Sequence, residues 1–375
     1  MLPVTKRSLL IFPLLLTLII FLHACARSTA KAPDSAAVAP PIPQGPVVLV
    51  CEVDCVAVEP EAIGLSLTLA PLIRRDLFCV RQLSILPEED SAVSGKPFFV
   101  GTRGIKRIGS ALGADIVTVG LLKMQVDTVS VELLAYDVSA ERLLFNSVVE
   151  GKRTAFYKLE KQLVEQFLEK MAIELQDEER ARIYSHRPKD FSALLTYGLG
   201  LLNEKKGKDA DALMAYQKAL MDDEKMVLPY AAQARSFMRL SAPEKAMESY
   251  EKAVTKDPFF AEAWYRLNLY AAQRKDDEKA LDCCLKALEV APRFGKAKLS
   301  FGTRLHDLGR LQEAIEETKS AATILKVDPL PSYNLGLYYL EAGDAQAARG
   351  WFEQALRRAP DFELARAELV KLNQR

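Results

Sequence analysis

The second half of the chain repeats one pattern of small, bulky apolar and polar positions every 34 residues. Bulky residues such as Tyr216 and Phe352 alternate with small ones. Because only a small side chain fits where two helices cross closely, the pattern predicts paired helices stacked into an array. The three small columns are Ala212, Ala246, Ala280, Ala314 and Ala348; Ala219, Ala253, Ala287, Ala321 and Ala355; and Gly200, Ala234, Asn268, Gly302 and Gly336.

The register and its side chains resemble the tetratricopeptide repeat (TPR). Trp264, Tyr265 and Leu267 match the first helix of that repeat, although Asn268 departs from its small column. The resemblance implies five repeats over 193–362, wound as an all-α, right-handed solenoid. Residues 363–375 keep helical spacing and are predicted to cap the last apolar face.

Residues 47–176 have a different pattern, which alternates between strand and helix periods. It predicts one small α/β sandwich domain, so the chain as a whole is expected to be an α+β protein of two domains. Pro71 could break the first helix, and the charged segment 177–192 is predicted to be a linker that acts as a hinge. The predicted strands are 46–58, 82–86, 115–125, 128–138 and 142–150, and the predicted helices are 61–80, 102–112 and 154–175.

Three segments of this domain carry a further resemblance. They are Leu112–Gly120, Val131–Asp137 and Arg142–Phe145. Their pattern resembles the small periplasmic domain at the amino terminus of TolB and in FlgO-like and CsgG-like lipoproteins. The resemblance does not imply a pore, because hairpins suited to membrane insertion are not seen in the sequence. In the scaffold function expected below, this domain would be a second docking surface.

The amino terminus has the pattern of an export signal. Lys6 and Arg7 precede an apolar run over 9–22, and the run is followed by Cys25. Residues 1–25 resemble a bacterial lipoprotein signal, which implies that Cys25 is acylated, with palmitate among the expected fatty acids. An uncleaved membrane helix is the alternative, although the run is short for a span.

The residues after Cys25 bear on where the protein is anchored. Ala26 stands where an aspartate would favour the inner membrane, so the resemblance implies an outer-membrane lipoprotein facing the periplasm. Anchoring in the inner membrane remains the alternative. The Ala- and Pro-rich segment 26–46 is predicted to be a tether.

Composition argues against several classes of function. The chain has 50 basic and 50 acidic residues and lacks a basic stripe, which disfavours nucleic acid as a partner. It has three histidines and none of the common hydrolase, metalloprotease or nucleotide-binding motifs. We therefore expect no enzyme activity, no metal and no cofactor.

The cysteines allow two interpretations. An exported chain meets an oxidising compartment, where disulfides form. Cys79 is one candidate to pair with Cys51 or Cys55, and buried free thiols are the alternative.

The TPR resemblance also implies a binding groove, because the first helix of each repeat lines the concave face in that family. Aromatic and apolar groups flanked by two arginines would suit a protein or peptide partner. The expected function is a membrane-anchored periplasmic scaffold in envelope assembly or secretion; the alternative is an accessory activator of a cell-wall synthesis enzyme. The predicted groove residues are Tyr197, Leu201, Arg235, Arg239, Tyr265, Leu269, Gln273, Thr303, Tyr333 and Leu337.

Overall fold

The structure is a computed structural model that describes residues 45–87, 97–185, 188 and 190–374. The signal over 1–25, with Cys25, and nearly all of the predicted tether lie outside the described residues. The amino-terminal part forms a five-stranded sheet in the order β2-β1-β3-β4-β5. Strand β1 is parallel to β2 and β3, whereas β3, β4 and β5 are antiparallel neighbours. The strands are β1 (Val47–Cys55), β2 (Ser84–Ile85), β3 (Ile116–Met124), β4 (Thr128–Asp137) and β5 (Arg142–Lys152).

Three helices cover the two faces of this sheet, which confirms the predicted α/β sandwich. They are α1 (Pro60–Phe78), α2 (Gly101–Leu112) and α3 (Phe156–Lys170). Helices α1 and α3 pack on one face and α2 on the other. Pro71 does not break α1, which is continuous through it. A proline inside a helix costs about 3 kcal/mol, and here the packing of α1 on both of its sides holds the helix together.

The segment expected to be a flexible linker contains a fixed helix, α4 (Asp177–Ser185). Its Ile183 is buried, and the carbonyl oxygen of Arg182 accepts a hydrogen bond from Arg75 in α1. The prediction of a hinge over 177–192 is therefore wrong for this helix. The high charge of this segment predicted a solvent-exposed linker, whereas Ile183 and Tyr184 pack against the core.

Five helical hairpins and a terminal helix follow, and they confirm the predicted array. The alanine ladders are fully buried. A Cβ added at Gly200 would lie 2.3 Å from Cε1 of Tyr216, and one added at Gly336 would lie 2.3 Å from Cε1 of Phe352. Small residues are thus needed where the paired helices touch. The helices are α5 (Phe191–Lys205), α6 (Asp209–Asp222), α7 (Leu228–Arg239), α8 (Pro243–Lys256), α9 (Ala261–Gln273), α10 (Asp277–Val290), α11 (Gly295–Asp307), α12 (Leu311–Ile324), α13 (Leu330–Glu341), α14 (Ala345–Arg358) and α15 (Glu363–Asn373).

Candidate binding surface

Helix α1 lies between the sheet and the first helices of the early repeats. Its apolar residues belong to one hydrophobic core that continues from the sheet into repeats one to three. Of its 19 residues, 15 are buried. At its end, the ring of Phe78 lies 4.9 Å from the ring of Phe294, between the third and fourth repeats. The protein's own helix thus fills a large part of the face that the sequence predicted to be a groove.

The two domains pack closely where α1 and α5 cross at two glycines. A Cβ added at Gly198 in α5 would lie 2.5 Å from the carbonyl carbon and oxygen of Gly64 in α1. A Cβ added at Gly64 would lie 2.8 Å from the carbonyl carbon of Gly198. Since backbone atoms cannot rotate aside, glycine at both positions sets how closely the two helices pack.

A buried arginine ties three parts of the chain together. The Arg75 Nε atom donates to Asp257 Oδ2 at 2.9 Å, and this aspartate lies between α8 and α9. The Nη1 atom donates to Asp76 at 3.1 Å and to the carbonyl of Arg182 at 2.8 Å, and Nη2 donates to Ser185 Oγ at 3.1 Å. Burial opposes the charge of Arg75, but the neighbouring carboxylates raise its pKa, so it stays protonated. The guanidinium therefore joins α1, α4 and the repeats.

A second charged cluster adjoins the first. Lys161 in α3 donates to Asp76, and its Nζ lies 3.3 Å from Oε2 of Glu160. Glu160 is fully buried, and neither of its carboxyl oxygens has a hydrogen-bond partner. Burial raises the pKa of Glu160 to about 8, in spite of the opposing effect of Lys161. A proton on Glu160 removes one of the two negative charges beside Lys161 and leaves that lysine paired with Asp76.

Three predicted groove residues are not available to a partner. Tyr197, Leu201 and Tyr265 are all buried, with exposed fractions of 1%, 7% and 7%. Tyr265 packs its ring 4.9 Å from that of Phe294. These side chains belong to the core that joins the repeats to the α/β domain.

The two predicted groove arginines are held by carboxylates of the first repeat. The Nε atom of Arg235 donates to Glu204 at 3.0 Å. Arg239 donates to Glu204 at 3.0 Å and to Asp209 at 2.6 Å. Burial alone would raise the pKa of Glu204, but the two arginines and the Tyr216 hydroxyl lower it to about 2. Both arginines therefore link repeats one and two, and Arg239 alone remains largely exposed, at 42%.

The remaining predicted residues divide by exposure. Tyr333 packs against the rings of Phe352 and Phe362, at 5.9 and 5.5 Å. Leu269 and Gln273 are exposed, and Thr303 is half-buried. Leu337 is half-buried as well. We use the term open strip for the accessible part of this face, formed by Arg239, Leu269, Gln273, Thr303 and Leu337.

The cysteines do not form the proposed disulfide. Cys51 and Cys79 pack in cores on opposite faces of the sheet. Cys55 ends β1, whereas α1 runs back along the sheet, so Cys79 lies near the start of β1. Burial raises the pKa of the Cys79 thiol to about 11, which makes it unreactive. The free thiols of the described chain are Cys51, Cys55, Cys79, Cys283 and Cys284.

In the described ranges, no group of three or more His, Cys, Asp or Glu side chains is placed to hold a metal ion. None of the helices assigned there is both long enough and apolar enough to cross a membrane.

Two features of the sequence of α1 indicate the joint between the domains. Gly64 interrupts a helix of large apolar residues, which is typical of a close helix crossing. Arg75 and Asp76 lie within the same apolar run, and charged residues are rarely buried unless paired. Neither signal names the partner, since Asp257 lies 182 residues from Arg75 along the chain.

Comparison with known proteins supports the repeats. A tetratricopeptide-repeat family model matches residues 231–293 and 307–363. Two Homo sapiens proteins, named protein O-mannosyl-transferase TMTC3 and TMTC1, are 25% identical over 174 residues and 26% identical over 181 residues. These matches cover 45% and 47% of this chain but only 19% and 20% of the transferases, so the chain spans about a fifth of their length.

Two solved structures are similar to part of this chain. MamA, known from a crystal structure, is 26% identical in sequence, and the matched region covers 42% of this chain and 93% of the MamA chain, with a TM-score of 0.39. YrrB, described as a TPR protein with an unusual peptide-binding site, is 22% identical in sequence. The matched region covers 47% of this chain and 91% of the YrrB chain, with a TM-score of 0.42. The match of the family model shows that the chain carries tetratricopeptide repeats, and such repeats indicate a protein–protein interaction scaffold.

Proposed function

We propose that this protein is a non-catalytic scaffold of the bacterial cell envelope, anchored by lipid at Cys25 and facing the periplasm from the outer membrane. The anchor and location rest on the sequence pattern of residues 1–25. The α/β domain, through its resemblance to the TolB, FlgO and CsgG-like domains, provides a second docking surface. Inner-membrane anchoring would leave the scaffold role unchanged.

The observation that carries the proposal is the division of the concave face. Helix α1 is buried on both sides and belongs to the core of its own domain, so it could leave the repeats only together with that whole domain. A partner is therefore left with the open strip. Leu269 is 39% exposed there, and Gln273 and Arg239 are the exposed polar side chains of the same strip.

The open strip suits a peptide segment of a protein partner. An exposed leucine can bury an apolar side chain of a peptide, and the polar side chains of the strip can form hydrogen bonds with the peptide backbone. The peptide-binding site named for YrrB is a parallel in a protein of similar fold. The transferase names of the human relatives are not carried over, because the matched region is a small part of those proteins.

Two leucines of the third repeat provide a matched test. Leu269→Glu places a charge in the open strip, and Leu285→Glu places one on α10, where Leu285 is 45% exposed. We expect crosslinking and capture from membranes to lose the partner with Leu269→Glu and to keep it with Leu285→Glu, while both variants melt like the unmodified protein. The reverse result would place the partner on another surface and contradict the proposal.

The same capture separates the scaffold from the activator alternative. Several assembly or secretion proteins recovered together support a scaffold, whereas one cell-wall synthase recovered in equal amount supports an activator. The anchor is tested by Cys25→Ala, which should release the protein from the membrane fraction. Retention of this variant in membranes would contradict lipid anchoring.

A further inference from the structure

Strand β5 has one edge to which no other strand of the described chain is paired. Just after the strand, the Arg153 N–H donates to the carbonyl of Asp127 at 3.0 Å. Along an antiparallel strand, the backbone N–H and C=O groups of one residue point toward the paired strand, and those of the next residue point away from it. The register with β4 therefore directs the backbone N–H and C=O groups of Asn146, Val148 and Glu150 to the free edge.

Both ends of this edge are protected, but its middle is not. A register shift opposite Ala135 and Tyr136 forms a β-bulge at Leu144, and Lys152 ends the strand. Bulges and lysines are common means of blocking an edge from pairing. The stretch 145–149 between them has no charged residue, and Val148 is 59% exposed.

We propose that a second copy of this chain pairs with this edge, with the two β5 strands antiparallel about a twofold axis at Val148. The bulge limits the regular strand to 145–151, and the centre of that stretch is Val148. The three pairs formed by Asn146, Val148 and Glu150 each exchange two backbone hydrogen bonds.

The side chains in this register complement one another. Asn146 of each copy lies opposite Glu150 of the other, so that an amide can donate to a carboxylate. Val148 lies opposite itself, and like-charged residues are not opposed within 145–151. The side chains of Asn146, Val148 and Glu150 are exposed on the same face of the strand. Pairing of two copies would therefore bury surface that is exposed to solvent in a single copy.

The space beside the edge is also open. A groove of ≈ 540 Å³ is lined by β5 and the end of α3, where Ser147 donates a hydrogen bond to Gln166. A strand joining the sheet at this edge would extend the face on which α3 packs.

Disulfide crosslinking of the full-length chain in membranes tests this register. Val148→Cys would place the two new thiols opposite each other, within the range of Cα separations that a disulfide needs. Leu143→Cys is the control, because Leu143 is 47% exposed on the same strand. Its two copies would be about 33 Å apart along the paired strands. We expect an interchain dimer with Val148→Cys, and only the background of the unmodified chain with Leu143→Cys.

The oligomeric mass gives an independent result. We expect the purified full-length chain to be a dimer by light scattering after subtraction of detergent, and Val148→Lys to be a monomer with unchanged melting. A monomeric unmodified chain, equal crosslinking at positions 143 and 148, or a dimer that survives Val148→Lys would each overturn the proposal. Capture of a different protein at position 148, without self-crosslinking, would overturn it as well. None of these results bears on the open strip.

Discussion

Replacing Gly198 with alanine should weaken the joint between the two domains. The added methyl carbon would lie 2.5 Å from the carbonyl carbon and oxygen of Gly64. Carbon atoms in ordinary contact are 3.5–4.0 Å apart, so α1 and α5 would have to separate by about 1 Å. The movement cannot be absorbed locally, because α1 is also packed against the sheet.

The size of the effect follows from two opposing contributions. Alanine is favoured over glycine inside a helix by about 1 kcal/mol. Overpacking of a buried site costs about 1–3 kcal/mol. Because the obstacle here is helix backbone, we expect the upper part of that range, and hence a net loss of about 1–2 kcal/mol in the free energy of unfolding.

Gly350 provides the matched control for helix propensity. It lies exposed in α14, and an added Cβ there would have no neighbouring atom within 4 Å. Gly350→Ala should therefore raise the free energy of unfolding by up to about 1 kcal/mol. Urea denaturation of the full-length variants, followed by circular dichroism, measures both changes. If Gly198→Ala proved as stable as Gly350→Ala, the close crossing of α1 and α5 would be refuted.

Three further substitutions test the charged groups at the same joint. The raised pKa of Glu160 means that the folded state keeps a proton which the unfolded chain, with an ordinary pKa of 4.5, releases. Stability should thus fall as pH rises from about 4.5 to 8, by up to about 1.4 kcal/mol per pH unit, and Glu160→Gln should remove that slope in urea titrations across pH. Asp257→Ala removes one of the two carboxylates that pair with the buried guanidinium of Arg75, so it should cost up to about 3–5 kcal/mol in the same assay, and a loss below about 1 kcal/mol would contradict the network. Lys326→Ala breaks an exposed pair with Asp115, so its thermal melting should change by less than the equivalent of about 1 kcal/mol.

Local patterns were sufficient to predict most of the elements. The 34-residue register located the paired helices, because the need for a small residue opposite Tyr216 or Phe352 is met within one hairpin. The order of strands and helices over 47–176 was also correct, since each element has its own period. The predicted and observed ends of the elements differ by a few residues. Strand β2, for example, was predicted over 82–86 and spans only Ser84–Ile85.

The sequence could not predict that α1 covers the apolar face of the early repeats. Tyr197 and Tyr265 have the same apolar character whether a partner or the chain's own helix lies on them. Periodicity shows that a face is apolar but does not identify its neighbour. The joint between Arg75 and Asp257 depends on contacts that are distant along the chain, and no local pattern contains them.

The burial of α1 on both faces also bears on how this protein can be cut and how it can diverge. Expression of the repeats without residues 45–176 would uncover the apolar surface around Tyr197 and Phe294, so we expect such a fragment to aggregate. The first three repeats must change together with α1, whereas the last two have fewer shared contacts. Sequence drift and the gain or loss of repeats should therefore be concentrated at the carboxyl-terminal end of the array.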